Sequence, residues 1–183
     1  MNPENDLRFP IGKLERKSRL TPEERAAAIV AIAAAPAELR AAVEGLSEEQ
    51  LDTPYRPGGW TVRQVAHHVP DSHMNAYVRL KLALTEDRPR IKTYDEEKWA
   101  LLADTPNTPV EVSLTLLEAL HFRWVELLHA MKPADFERTL DHPELGEVTL
   151  DSLLGLYAWH GRHHVAHVTR LREREGWSRQ ITD

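Results

Sequence analysis

No cysteine occurs among the 183 residues. That excludes a disulfide framework and any thiolate-held metal, so a bound ion would have only His, Asp and Glu to hold it. No uninterrupted apolar run reaches the roughly 18 residues of a membrane-spanning helix. The N-terminal residues also lack the apolar core of a secretory signal. We therefore expect a soluble, cytoplasmic protein without a membrane partner. Basic residues are outnumbered, giving a net charge of −6, and no Lys/Arg cluster overrides that balance. A nucleic-acid-binding face is excluded on the same ground. Hydrophobic residues at 42% and charged residues at 28% are ordinary for a globular chain of one domain with a sizeable core.

Histidine is what the chain has in unusual density. Four of its ten histidines, His160, His163, His164 and His167, fall within one short stretch near the C-terminus. The stretch reads as amphipathic helix, on which residues four apart stand one above the other. Two chelating pairs are thus available, His160 with His164 and His163 with His167. At about 100° per residue, Leu150, Leu153, Leu154, Tyr157, Gly161, Val165, Val168 and Leu171 form one apolar stripe. His164 lies inside the stripe and His160 at its edge. His163 falls on the side of Trp159, Arg170 and Arg174. The pair His160/His164 is therefore the one directed into a core.

Taken in order, residues 1–20 are charged and aperiodic and predict an arm lying over a single domain of residues 21–183. Thr21-Pro22-Glu23-Glu24 is a capped helix start, and the Ala-rich segment runs to Glu44, kinked at Pro36 and stopped by Gly45. Ser47-Glu48-Glu49-Gln50 predicts a short helix to about Asp52. Thr61-Val62-Arg63-Gln64 opens a second long helix reaching Thr85, with Val62, Val65, Ala66, Val69, Ala76, Leu80 and Leu84 on its core face. A polar crossover over 88–107 holds a helical turn near 96–102. A third helix spans Thr108 to Met131, residues 134–148 form a second connection, and the fourth helix runs from Thr149 to Glu175, capped by Gly176. With no strand pattern, the expectation is an all-α four-helix bundle with long crossover connections.

A third ligand would come from His67, His68 or His73 on the second helix. His67 points away from the apolar face and reads as solvated. His68 sits at its edge and His73 within it, so helical phase alone slightly favours His73 without settling the choice. Two Glu-x-x-His motifs, at Glu118–His121 and Glu126–His129, invite a di-iron carboxylate reading. Both lie on one helix, whereas that site needs them on two. His121 reads instead as a core histidine with a hydrogen-bond partner.

The run Tyr55-Arg56-Pro57-Gly58-Gly59-Trp60-Thr61-Val62-Arg63-Gln64-Val65-Ala66-His67-His68, continued through Asp71 to Asn75, resembles the signature of the YfiT branch of the DinB-like superfamily. So does Gly155-Leu156-Tyr157-Ala158-Trp159-His160 with Gly161-Arg162-His163-His164 after it. Leu51-Asp52-Thr53-Pro54, His142-Pro143 and Gly176-Trp177 extend the likeness over most of the chain beyond residue 20. The resemblance implies an up-down-down-up bundle and one divalent metal held by His68, His160 and His164. Two departures stand out. Pro70 lies inside the second helix, where a bend is expected, and Gly161-Arg162 would alter the mouth of the site.

Three neutral imidazoles suit Zn²⁺ first and Ni²⁺ next, and they leave a coordination position open. A cation there lowers the pKa of a water or of a thiol. The first chemistry describes a metal-dependent hydrolase. The second describes an S-transferase joining a low-molecular-weight thiol, of the bacillithiol or mycothiol class that the resemblance implies, to an electrophile. We expect the transferase chemistry under a hydrolase name. Asp71 is a candidate partner for a ligand imidazole, and Asn75, Arg79 and Tyr157 are candidate substrate contacts. Family analogy adds a homodimer. The alternative is a non-enzymatic helical binding or dimerisation module with a structural metal.

Overall fold

The cap sequences start helices where they stand. Thr21 Oγ1 accepts from the Glu24 N–H while the Glu24 carboxylate accepts from the Thr21 N–H, and α1 spans Pro22–Val43. The same reciprocal box at Ser47 opens α2, Glu48–Leu51, and at Thr61 opens α3, Val62–Thr85. The computed structural model describes residues 6–177. Residues 1–5 of the expected arm and residues 178–183 lie outside the described residues. Two short helices, α4 (Glu96–Trp99) and α5 (Asp104–Asn107), lie in the first crossover, then α6 spans Val110–Ala130 and α7 Leu150–Glu175. The left-handed Gly176, at φ 67°, caps α7 as a helix-terminating glycine should.

The four long helices form the bundle, with α1 and α3 each packed against both α6 and α7. The second connection departs from expectation. Pro133–Glu137 is a 3₁₀ turn, and Thr139–His142 pairs antiparallel with Gly146–Thr149 as a two-stranded hairpin, β1 and β2. Four residues are too few for an alternating pattern to register. Tertiary contacts hold the hairpin instead: Leu140 is fully buried, and Asp141 exchanges backbone hydrogen bonds with Pro89 and Ile91 of the first crossover. The hairpin turns over Pro143, Glu144 and Leu145, and Gly146 follows at φ 71°.

Two apolar clusters fill the bundle. One gathers Ile32, Ala76, Leu80, Trp124, Leu128, Leu150 and Leu154; the other Leu39, Val62, Val65, Val69, Leu114, Leu117 and Leu171. Along every helix the break between them falls at the same level: near Pro36 on α1, His68 to His73 on α3, His121 on α6 and His160 to His167 on α7. The bundle thus carries a layer of imidazoles between two dry cores. By length and composition α1 could cross a membrane. Here it packs on α6 and α7, and Arg25 clamps it to the buried Asp151 of α7 through two 2.7 Å hydrogen bonds.

The segment before α1 lies on this body. Leu20 N–H donates to Asp151 at 3.0 Å, Thr149 Oγ1 donates to the Ser18 carbonyl at 2.6 Å, and Phe9 faces the His163 ring at 6.2 Å.

Candidate metal centre

The fourth-helix pair and one third-helix ring converge. His68, His160 and His164 each offer a ring nitrogen, and these atoms all lie within 4.8 Å of one another. His68 Nε2 and His160 Nε2 are 3.4 Å apart. Two nitrogens bound to one tetrahedral Zn²⁺ at about 2.1 Å would stand about 3.4 Å apart, so the donor set fits a single small divalent ion. His68 and His164 are buried, while His160 is partly open to solvent. Trp60 packs on the cluster, its ring 4.5 Å from that of His68 and 6.3 Å from that of His164.

Burial keeps these rings neutral and therefore able to donate lone pairs. It pushes His68 down to about 4. His160 and His164 fall well below the ordinary imidazole value, first by burial and then by their neighbouring histidines.

The second nitrogens of two of the rings are also engaged. His160 Nδ1 lies 3.1 Å from His73 Nε2, His73 Nδ1 lies 2.7 Å from His121 Nε2, and His121 Nδ1 lies 2.6 Å from the Ile32 carbonyl. On the other side His164 Nδ1 is 3.5 Å from His167 Nδ1, and His167 Nε2 is 3.3 Å from the Arg8 carbonyl. His121 is thus the hydrogen-bonded core histidine that the sequence suggests. His73, slightly favoured by phase, stands instead behind His160 rather than among the three converging nitrogens. Its bond to His160 joins two helices, and nothing in either helix alone announces it.

Two placements differ from expectation. His67 is buried, not solvated, because α6 covers that face, and its Nδ1 lies 2.7 Å from Ser113 Oγ. His163 is also buried, stacked on Trp159 at 4.2 Å beneath the N-terminal segment, and burial lowers it to about 3. Gly161 does not border the mouth: an added Cβ would meet Ala35 at 3.1 Å and His73 at 3.6 Å, so the glycine gives room to the helix contact and to His73. Helix α3 continues across Pro70.

Of the other candidates, Asp71 is half-buried, and burial, with the nearby charge of Asp104, pushes its carboxyl up to about 6. Asn75 lines a cleft of about 390 Å³ with Lys92, Thr93, Tyr94, Asp95 and Trp99. Arg79 donates to the Lys92 carbonyl at 3.1 Å, which ties that loop to α3. Tyr157 is buried, with its ring 5.5 Å from that of His160. Burial raises the Tyr94 hydroxyl to about 12. The crossover loop that forms this cleft carries no motif in the sequence.

Residues 31–168 match the family model of the DinB superfamily. The chain is 57% identical over 172 residues to a protein of Bacillus mycoides (strain KBAB4) named "Putative metal-dependent hydrolase", covering 94% of this chain and 99% of that one. A Bacillus cereus (strain 03BB102) protein of the same name is 57% identical over 173 residues, with the same shares covered. The solved structure of YfiT from Bacillus subtilis, described as a probable metal-dependent hydrolase with an unusual four-helix bundle topology, matches with a TM-score of 0.92 at 46% identity. That match covers 94% of this chain and 99% of the other. The four-helix bundle protein TT2238 matches at 23% identity and a TM-score of 0.54, over 77% of this chain and 94% of its own, and shares the fold alone.

Proposed function

The chain belongs to the DinB superfamily, and from that premise we propose that it is a metal-dependent enzyme whose ion is held by His68, His160 and His164. The observation that carries this reading is the convergence of three neutral ring nitrogens within 4.8 Å, in a layer where one ring stays partly open. Zn²⁺, with Ni²⁺ next, suits a donor set of imidazoles without thiolate or carboxylate. Such an ion supplies a Lewis acid that makes a water or a thiol a better nucleophile at neutral pH.

The chemistry we favour is transfer of a low-molecular-weight thiol, of the bacillithiol or mycothiol class, to an electrophile. The thiol gives up its proton to solvent, its sulfur lone pair forms a bond to carbon, and the leaving group departs with the pair from the bond that breaks. The chain's own residues would place the reactants. Asn75 and the Tyr94/Trp99 wall offer a cleft beside the layer, Tyr157 packs against His160, and Arg79 holds the Lys92 segment in place. A homodimer of single-domain chains, each with residues 1–20 as its arm, acting in the cytoplasm, belongs to the same reading.

Hydrolysis is the second reading, and two observations favour it. The relatives carry that name, and Asp71 has a carboxyl raised to about 6, close to where a general base works at neutral pH. One experiment separates them: measure metal content of the purified chain, then assay the Zn²⁺-loaded form with bacillithiol, mycothiol or cysteine and a chloro-nitroarene, and separately with ester and amide substrates. Thiol conjugation that disappears with a chelator is the expected result. Ester or amide cleavage without conjugation would replace it with the hydrolase, and a chain that takes up no metal would overturn both.

A further inference from the structure

A proline inside a helix leaves the carbonyl four residues earlier without its intrahelical donor. In α1 that proline is Pro36 and that carbonyl is Ile32, buried at the centre of the bundle. The carbonyl is not left unpaired: His121 Nδ1 sits 2.6 Å away. A carbonyl can only accept, so His121 must carry its proton on Nδ1. In a neutral ring the other nitrogen is then a lone pair. The same count repeats along the chain of contacts. His121 Nε2 accepts, so His73 Nδ1 donates across 2.7 Å; His73 Nε2 accepts, so His160 Nδ1 donates across 3.1 Å. The last ring is left with an unprotonated Nε2, the atom that lies 3.4 Å from His68 Nε2.

We propose that Ile32, freed by Pro36, together with His121 and His73, forms a relay that fixes the tautomer of His160 and aims its Nε2 lone pair into the three-histidine cluster. One backbone carbonyl sets the order of protons through three side chains on three helices. His73 and His121 are positioning residues, since they act on an incoming ion only through His160. The packing supports the role. The His73 and His121 ring planes lie within 16° of parallel, Trp124 and Tyr157 meet the His73 ring edge-on, and Gly161 leaves it space. The consequence for metal binding rests on the proposed metal-site reading; the proton order does not.

The test begins with the metal-free wild-type chain, using long-range ¹H–¹⁵N correlation of the imidazole rings at pH 7. Free histidine prefers the proton on Nε2, so the relay expects the opposite order, Nδ1–H, at His121, His73 and His160. Finding His160 mainly as Nε2–H would overturn it. The second arm compares His73→Phe, which keeps the shape and removes both bonds, with His73→Gln, whose amide oxygen can still accept from His160 Nδ1–H. His73→Phe should release His160 into a tautomer mixture and weaken Zn²⁺ affinity by about 10- to 100-fold in a chelator competition. His73→Gln should recover part of that loss. Unchanged His160 tautomer and affinity within about twofold in His73→Phe would sink the idea. If His73→Phe does not fold, the wild-type ring tautomers decide alone. A wild type with the stated proton order that binds no Zn²⁺ would uphold the relay and remove the metal-site reading.

Discussion

His160 and His164 stand one turn apart on α7, yet they are supported from different depths. Behind His160 the contacts run 3.1, 2.7 and 2.6 Å and end on an α1 carbonyl inside the core. Behind His164 they run 3.5 and 3.3 Å and end on the Arg8 carbonyl, in the segment laid over the surface. The proton count is the same in both: Arg8 accepts, His167 carries its proton on Nε2, and His164 donates from Nδ1. What differs is the strength of the anchor. Hydrogen bonds weaken steeply at the limit of their range, and a carbonyl on a peripheral segment moves more readily than one in a buried helix. The proposed ligand pair therefore has one fixed member and one adjustable member.

The sharpest way to break this comparison is to remove the rings themselves. His68→Ala, His160→Ala and His164→Ala should each lose most bound metal after reloading, measured by elemental analysis. His67→Ala and His163→Ala should keep it, since neither contributes to the converging nitrogens. Equal loss from the second pair would mean that the cluster has been wrongly drawn.

Acid should weaken the fold as a whole before it protonates the deep support. Burial holds His121 near 4, against an ordinary value of 6.5. Between those values the unfolded chain binds the proton and the folded chain does not, so stability is full above about pH 6.5 and falls as the pH drops towards 4. The effect of one such ring is up to about 3 kcal/mol, and His73 shifts in the same direction through burial and its histidine neighbours. Urea midpoints of the metal-free chain should drop between pH 7 and pH 4.5, and a flat profile would contradict the buried neutral layer.

The smallest effect belongs to the shallow support. His167→Leu should lower Zn²⁺ affinity by a few-fold, less than the loss expected of a tight second partner, because its contacts are already long. A loss as large as that of His73→Phe would show the two supports to be equivalent and would end the distinction between fixed and adjustable ligands.

Much of this was legible in the chain. The capping boxes at Thr21, Ser47 and Thr61 and the glycine at 176 mark helix ends through local chemistry, and each is found at work. The resemblance carried by the Gly-Gly-Trp-Thr and Trp-His runs placed the chain in its family, and the DinB match bears that out. The hairpin was not legible, because two four-residue strands are held by Leu140 and by the crossover rather than by their own pattern. Nor were the burials of His67 and His163, since each is covered by a segment distant in sequence.

The sequence by itself determined where helices begin and end, which face of each is apolar, and that imidazoles crowd two of them. Those are properties of residues within a few positions of one another, which local backbone geometry fixes. Only the tertiary structure decided which ring meets which: His73 with His160, His121 with Ile32, His167 with Arg8. Helical period gives a side chain its direction on its own helix and says nothing of what stands opposite. That depends on which helices pack together and at what level, and here it brought the orphan carbonyl left by a proline in α1 into line with a histidine of α6.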